Sequence, residues 1–223
     1  MSLILNIDTA LEKASVSLAN NGEILACTYN GEQKDHAAWL HQSVEIILHQ
    51  SGYSITDINA VSVSIGPGSY TGLRVGLSAA KGYCYALNIP LITVGTLDIM
   101  AKSVVSQATK LICPLIDARR MEVYTALYNK DGEAMSPPQA LIINEHSFKE
   151  HLQSGTVLFC GSGSSKLQKI LPPSANALFL DCGDMADPLA FTAFQNFKAG
   201  NLADLAYAEP LYIKEFYTTA ERS

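Results

Sequence analysis

A β-strand that runs directly into a glycine-rich loop and then a helix limits this chain to a small number of folds. Residues Asn59–Ile65 are rich in β-branched side chains and predict a strand, and the stretch GPGSYTGLRVGLSAAKG follows from Gly66 to Gly82. Beyond the loop, apolar residues recur at helical spacing as far as Leu87. A strand, loop and helix in this order are typical of α/β proteins, in which helices cross between strands of one sheet.

The other patterns in the first hundred residues extend this unit into a lobe. Strands are predicted at Leu3–Asp8, Ala14–Asn20, residues 23–29 and Pro90–Val94, with an amphipathic helix at His36–Ser51. Asn21 and Gly22 tolerate the positive φ angles of a tight hairpin turn, so the second and third strands are predicted to pair. The order βββαβα predicts an α/β lobe formed by residues 1–100.

The second half of the chain repeats the mixture of strands and helices in a smaller form. Strand patterns flank Ala118–Arg120, and another lies at TVLFC, near Cys160. A helix is predicted over Pro188–Lys198, with Asp187 accepting hydrogen bonds from its free amides. We therefore expect two related lobes, residues 1–100 and a reduced lobe of residues 101–223.

Composition excludes several classes of protein. The chain has 223 residues, 48% of them hydrophobic, which is enough for a buried core. Its formal charge of −6 argues against binding of nucleic acid by the chain alone, because such proteins present basic surfaces to phosphates. The five scattered cysteines lack metal-ligand spacing, and no apolar run is long enough to cross a membrane. No signal-peptide pattern is present at the start, so we expect a cytoplasmic protein with reduced thiols.

The glycine-rich stretch matches none of the common phosphate-binding motifs. Gly66, Gly68 and Gly72 give G-x-G-x-x-x-G without a following lysine, which misses both the Walker loop and the dinucleotide fingerprint. Free amides at the helix start would still suit an anion. The alternative is a tight turn in which Pro67 stiffens the loop and Ser69 or Thr71 caps the helix.

Small residues on the helix that follows point to a close contact. Glycine in a helix costs about 1 kcal/mol, so two glycines on one face imply the approach of another backbone. That neighbour is either another part of this chain or a helix of a second subunit. A bulky aromatic and an isoleucine also remain on the first helix after its core positions are assigned. The docking surface predicted from both helices consists of Trp39, Ser43, Ile46, Gly72, Gly76, Ala79 and Tyr83, with the glycines facing outward.

Three motifs together carry a resemblance to a known family. GPGSYTGLRVGLSAAKG after an apolar strand, NIDTALEKASVSL near the start and IDARRMEVYTALY in the middle resemble the TsaB (YeaZ) family of bacterial tRNA-modification proteins. The resemblance spans Asn6 to about Tyr128, with a weaker match at EPLYIKE. It implies an α/β fold of the ASKHA type, shared with actin, Hsp70 and sugar kinases.

The resemblance also implies a function without catalysis by this chain. Members of the family support synthesis of N6-threonylcarbamoyladenosine beside the anticodon of tRNAs. The implied partners are a TsaD-like catalytic subunit, bound through the two helices of the first lobe, and a TsaE-like ATPase. On this interpretation the chain forms a homodimer when alone, reaches tRNA only through the complex, and needs no cofactor.

Two enzymatic alternatives rest on particular residues. An ATP-dependent phosphotransferase of the ASKHA superfamily would use Asp8 as a magnesium ligand and Gly161 and Gly163 beside the adenine, but neither predicted hairpin has the glycines of a phosphate cradle. The alternative to nucleotide binding is a structural role, in which Asp8 caps the end of a strand and Gly161 and Gly163 lie in a turn.

A metal-dependent, peptidase-like hydrolase is the second enzymatic alternative. It would rest on His36 and His41, yet these lie five apart and diverge by about 140° on a helix. We expect no metal site.

Basic residues near the motifs leave one further question open. Arg74, Lys81, Arg119 and Arg120 are solvated surface charges or contacts to RNA within a complex.

Overall fold

The computed structural model describes residues 2–31 and 36–214 and has two β-sheets, one in each half of the chain. The five-stranded first sheet has the order β3-β2-β1-β4-β5. Its strands are β1 (Leu3–Asp8), β2 (Ala14–Asn20), β3 (Glu23–Asn30), β4 (Ala60–Ser64) and β5 (Leu91–Val94). Strands β1, β4 and β5 are parallel, whereas β2 is antiparallel to both β1 and β3. Asn21 (φ 51°) and Gly22 (φ 88°) form the turn between β2 and β3, as predicted.

Helices cover both faces of this sheet, so β1 is buried on both sides. Leu3, Leu5 and Ile7 face the helices α1 (His36–Ser51) and α2 (Tyr70–Leu87), and together they form the largest core cluster. Ile4 faces the opposite way, toward α6 (Ala186–Ala199). The predicted strands and helices of the first half are confirmed in type and order.

The second sheet is six-stranded and follows the same layered plan. Its path is β11-β10-β6-β7-β9, and β8 pairs with β6. The strands are β6 (Leu111–Asp117), β7 (Glu122–Thr125), β8 (Tyr128–Asn129), β9 (Gln139–Ile142), β10 (Val157–Cys160) and β11 (Ala177–Leu180). Its helices are α3 (Thr96–Ser103), which joins the lobes, α4 (Lys149–Ser154) and α5 (Ser164–Gln168). Short 3-10 turns lie at Ile55–Asp57 and Val105–Gln107.

The last described residues, 186–214, return to the first lobe. Helix α6 packs on the first sheet, and residues 201–214, here called the strap, run back along it. In the strap, the amide of Ala203 donates to the carbonyl of Leu91 (2.8 Å) and the amide of Leu211 to that of Ile65 (2.7 Å). The predicted division near residue 100 falls between the two sheets, and α6 covers the first sheet although it follows the second in sequence.

The start of α6 differs from the prediction in one detail. Its first amide, that of Ala186, donates to Oδ1 of Asp184 at 2.9 Å, whereas no side-chain cap from Asp187 is formed. Asp184 also accepts a short hydrogen bond from the hydroxyl of Tyr29, which ties α6 to strand β3. Burial and this contact raise the pKa of Tyr29 above its ordinary value, so the phenol stays protonated and donates.

All five cysteines are free thiols, and Cys84, Cys113 and Cys160 are buried. Burial raises the pKa of Cys84 to about 11 and that of Cys113 to about 12, so neither forms a reactive thiolate near neutral pH. None of the helices within the described residues has the length and apolar character that a bilayer crossing requires.

The glycines at the start of α2 face the interior of the lobe. Gly72 and Gly76 are buried, and an added Cβ atom would overlap the carbonyl oxygen of Thr9 at the first position and its hydroxyl at the second. The hydroxyl of Thr9 donates to the carbonyl of Gly72 at 2.7 Å. The prediction that these two glycines face outward toward a second subunit is wrong, because they make room for the turn between β1 and β2.

This packing predicts opposite effects of alanine at two glycines of one helix. Gly76→Ala should lower the free energy of unfolding by about 1–3 kcal/mol, because the added methyl group overpacks against Thr9. Gly82 is exposed, and a methyl group added there would meet no neighbouring atom within 4 Å, so Gly82→Ala should raise that free energy by up to about 1 kcal/mol. Urea denaturation followed by circular dichroism measures the free energy of unfolding of each variant. Equal values for the two variants would contradict the packing of Gly76 against Thr9.

Candidate functional site

A groove between α1 and α2 is the first candidate site, and it opens on the outer side of the first lobe. It encloses about 640 Å³. Most of its surface is apolar or small, and it is lined by Ala37, Leu40, His41, Arg74, Val75, Ser78, Ala79, Gly82, Tyr83 and Ala86. The walls come from one face of each helix, so another helix could lie along the groove.

Helix α2 is fixed by caps at both ends. The hydroxyl of Ser69 accepts from the amide of Gly72 at 3.2 Å, as the sequence predicted for one of its two candidate caps. Asn88 ends the helix in the left-handed conformation (φ 53°), and its amide donates to the carbonyl of Cys84. Leu73, Leu77 and Cys84 are buried, so the opposite side of the helix is left to form the groove.

One polar contact joins the two helices at the groove. Nδ1 of His41 and the hydroxyl of Tyr83 are 2.8 Å apart, and their rings lie 5.7 Å centre to centre. Partial burial raises the pKa of Tyr83, with a further contribution from the negative charge of Glu45. Tyr83 is therefore a neutral phenol near pH 7. Its contact with His41 places these two residues side by side and so fixes the positions of α1 and α2 along their axes.

The structure brings only part of the predicted docking surface to this groove. Ala79 and Tyr83 line it. On α1, by contrast, Ser43 is buried, Trp39 packs partly against the core, and Ile46 is 46% exposed but lies outside the lining. Those α1 residues therefore lie beside the groove rather than in it.

Sequence reasoning missed Val75, Ser78 and Gly82 of the groove, although the surface it predicted includes Ala79 and Tyr83. Ser78, Gly82 and Ala86 recur at intervals of four, and Val75 leads into Ala79 at the same interval. That spacing was visible in the sequence. Only the Gly72 and Gly76 end of the predicted stripe lies on the buried side, and nothing in the sequence shows that Thr9 occupies the space beside those glycines.

The second candidate site is a cleft of about 890 Å³ between the lobes. Among the predicted nucleotide-binding residues, Asp8 and Gly161 lie in its wall. Gly163 is not part of the lining, and a Cβ atom there would crowd Val123 and Leu115 of the second sheet.

The glycine loop before α2 is occupied by protein atoms on the cleft side. The amide of Ser69 donates to the carbonyl of Ala10 at 2.7 Å, and a Cβ atom on Gly68 would overlap the same oxygen. The amide of Gly72 is already bound to Ser69. Two amides at the helix start are therefore used internally, which favours the tight-turn interpretation over a phosphate loop. Gly66 is the member of the loop that needs a positive φ, at 114°.

Asp8 is held at the end of β1 by local hydrogen bonds. Its Oδ1 accepts from the hydroxyl of Ser64 at 2.6 Å and from the amide of Ala10 at 3.0 Å, and the residue is buried. These contacts match the strand-end role that the sequence offered as the alternative to a magnesium ligand.

The turn between β6 and β7 presents two arginines where a phosphate cradle would use glycines. Arg119 (φ 69°) and Arg120 (φ 50°) both adopt the left-handed conformation, which is uncommon for residues with side chains. Oδ1 of Asp117 accepts from the amide of Arg119 and from Nζ of Lys166, both at 2.6 Å. Partial desolvation raises the pKa of Asp117, but these two hydrogen bonds outweigh it, so its pKa lies below the ordinary value.

The histidines of the hydrolase alternative are not gathered in one place. His41 contacts Tyr83 on the groove, while His146 lies 3.5 Å from Glu145 in the other lobe. The side chain of His36 lies outside the described part of the chain. Within the described part, no group of three or more histidine, cysteine, aspartate or glutamate residues is arranged to hold a metal ion.

The chain is similar to proteins of one family along most of its length. The family model described as "TsaD: tRNA N6-adenosine threonylcarbamoyltransferase" matches residues 24–208. The chain is 34% identical over 221 residues to the tRNA threonylcarbamoyladenosine biosynthesis protein TsaB of Escherichia coli, covering 95% of this chain and 94% of that protein. It is 32% identical over 165 residues to TsaB of Bacillus subtilis, covering 73% and 72% respectively.

A solved structure gives the same result for the fold. YeaZ from Pseudomonas aeruginosa superimposes with a TM-score of 0.79 at 25% identity, covering 95% of this chain and 100% of that one. The predicted ASKHA-type fold is confirmed by the two layered α/β lobes and by these similarities. The chain therefore belongs to the TsaB (YeaZ) family.

Proposed function

We propose that this chain is a non-catalytic subunit in the synthesis of N6-threonylcarbamoyladenosine next to the anticodon of tRNAs. It binds a TsaD-like catalytic subunit through the groove between α1 and α2, and a TsaE-like ATPase joins the pair. The observation that carries the proposal is the apolar groove itself, on a chain whose curated relatives are named as threonylcarbamoyladenosine biosynthesis proteins. Binding between subunits, rather than chemistry in the cleft, is the role that these features support.

The nature of the partner follows from the family relationship. The model that matches residues 24–208 is that of the transferase TsaD, so a TsaD-like subunit has a lobe built on the same plan. Such a lobe presents its own pair of helices. Two helix pairs packed across the groove would give a four-helix arrangement, in which Ala79 and Gly82 permit close approach of the backbones. Since the two surfaces are related, the chain alone pairs with a second copy in the same way.

The occupied amides of the cleft support the absence of catalysis. The helix-start amides of Ser69 and Gly72 are bound within the chain, and Asp8 is held by Ser64 and Ala10. The turn that carries Arg119 has no glycine. In this proposal ATP hydrolysis and transfer to tRNA belong to the partner subunits, and tRNA reaches the chain only in the complex.

A residual nucleotide site in the cleft is the second candidate. The observation in its favour is the volume of the cleft, about 890 Å³, with Asp8 and Gly161 in its wall. Calorimetric titration of the chain with ATP and Mg²⁺ tests it. Because the amides at the start of α2 are occupied, we expect no saturable heat; tight binding with turnover would instead support the phosphotransferase alternative.

The docking role predicts a loss of binding when the groove is filled. Gly82→Leu places a bulky side chain on an exposed position of the groove, so it should weaken capture of a TsaD-like partner and self-association about tenfold or more. Pull-down and sedimentation velocity measure the two effects, with circular dichroism as the folding control. The matched control is Tyr85→Leu, on the same helix but outside the groove, where the side chain is 83% exposed. Normal binding by a folded Gly82→Leu variant would refute the docking site.

The non-catalytic role predicts that the isolated chain is inactive. Purified protein should neither hydrolyse ATP nor transfer threonylcarbamoyl to tRNA, and it should not retain tRNA at physiological salt because its net charge is −6. Activity should appear when a TsaD-like and a TsaE-like subunit are added. The measurement is nucleoside analysis of the tRNA by mass spectrometry; modification by the lone chain would contradict the proposal.

A further inference from the structure

Two cysteines of the second lobe meet where two parallel strands end. Cys160 is the last residue of β10, and Cys182 follows the end of β11 by two residues. Since Cys160 lies opposite Leu180 in the parallel pairing, the chain that leaves β11 passes beside the end of β10. There the two thiol groups share a hydrogen bond. Cys160 belongs to the apolar cluster under α3, and Cys182 packs against that cluster.

The other three thiols contact oxygen atoms rather than sulfur. Cys27 and Cys84 donate to main-chain carbonyl groups at 3.8 and 3.4 Å, and Cys113 lies 3.2 Å from the hydroxyl of Thr125. Cys113 is on β6, the neighbour of β10, but it belongs to the cluster on one face of the sheet and Cys160 to the cluster on the other. Cys160 and Cys182 are therefore the pair in which one thiol can react with another.

The two cysteines differ in their access to the solvent. Cys182 is partly exposed and lines the cleft of about 890 Å³ between the lobes. Cys160 is 0% exposed. A small uncharged oxidant that enters the cleft therefore reaches Cys182, while Cys160 is protected from direct attack.

The hydrogen bond between them gives the two thiols different protonation states. This contact, together with burial, raises the pKa of Cys160, so its thiol stays protonated and donates. The same hydrogen bond lowers the pKa of Cys182, although burial and the nearby carboxylate of Asp181 act in the opposite direction. Cys182 is therefore the sulfur that reacts as a thiolate, and Cys160 is held beside it as a second thiol.

We propose that Cys160 and Cys182 form a reversible disulfide when hydrogen peroxide enters the cleft, and that Cys182 is the thiol that reacts first. Disulfides in reducing compartments are usually transient and redox-sensing, and a pair of this kind, with one accessible and one protected thiol, suits that role. The proposal does not depend on the docking role of the groove, because the pair lies in the other lobe.

The reaction consumes one molecule of peroxide and oxidises both thiols by two electrons in total. The thiolate of Cys182 attacks one oxygen of the peroxide, the O–O bond breaks, and a sulfenic acid forms while hydroxide leaves and takes up a proton to give water. The sulfur of Cys160 then attacks the sulfur of Cys182, and the S–O bond breaks. The departing hydroxide takes the proton of Cys160 and leaves as a second water. A dithiol reverses the reaction by thiol–disulfide exchange.

The position of the disulfide gives it a structural consequence. Gly161, directly after Cys160, lies in the wall of the cleft. Two residues after Cys182, Asp184 caps α6 and accepts a hydrogen bond from Tyr29 of the first sheet. The disulfide would therefore join the end of β10 covalently to the segment that connects the second lobe to the first.

Peroxide treatment of the purified full chain tests the site. After removal of reductant, about a tenfold molar excess of hydrogen peroxide should cause the loss of two of the five free thiols, and dithiothreitol should restore both. Peptide mapping without reduction should recover Cys160 and Cys182 joined to each other, and non-reducing electrophoresis should show a single chain. Retention of all five thiols, or a crosslink to another cysteine or between two chains, would overturn the proposal.

Serine variants separate the roles of the two thiols. Cys182→Ser should slow the loss of thiols at least about tenfold, because the accessible thiolate is gone. Cys160→Ser keeps a hydrogen-bond donor beside Cys182 but removes the second thiol, so oxidation should stop at a sulfenic acid that dimedone labels.

Cys27→Ser is the matched control, because Cys27 is also partly exposed but has no thiol as its neighbour. It should form the disulfide as the original chain does. A folded Cys182→Ser variant that loses two thiols at the original rate, or a folded Cys27→Ser variant that forms no disulfide, would refute the assignment. Circular dichroism shows whether each variant is folded, and peptide mapping of the original chain decides the case even where a variant of the buried Cys160 does not fold.

Discussion

The contact between the start of α2 and the turn after β1 is the constraint on which the rest of the first lobe depends. Thr9 and Ala10 lie against Gly68, Gly72 and Gly76, and hydrogen bonds from the Thr9 hydroxyl and to the Ala10 carbonyl hold them there. Only residues without side chains allow this approach. It therefore explains why two glycines stand within the helix although each of them lowers helix stability. The contact fixes the position and rotation of α2, and with them the side of the helix that faces outward.

This contact has two structural consequences for α2. The amides of Ser69 and Gly72 at the helix start are bound within the turn and its cap. At the same time, the rotation of α2 directs Ala79 and Gly82 outward, beside α1. The occupied amides on one side of the helix and the groove on the other thus have one structural cause.

The sequence predicted the first lobe well because its signals are local. The turn at Asn21 and Gly22, the cap at Ser69 and the period of α1 each depend on neighbours within a few residues, and all three are confirmed. The orientation of the glycines was predicted wrongly, because the group that fills their space, Thr9, lies more than sixty residues away in sequence. The same limit applies to the return of α6, whose apolar face gives no sign of which sheet it covers.

The return of residues 186–212 to the first sheet affects how the chain is made. One face of β1 and β5, including Ile4 and Ile92, is covered by Leu189 and Ala193 of α6, and the strap binds Leu91 and Ile65. During synthesis the first sheet therefore emerges from the ribosome well before the segment that covers it. Until residues 186–212 have left the ribosome, one apolar face of the first sheet is exposed to water and to other chains, and its closure requires contacts between segments far apart in sequence. The first sheet is therefore covered only after all the strands of the second sheet have been synthesised.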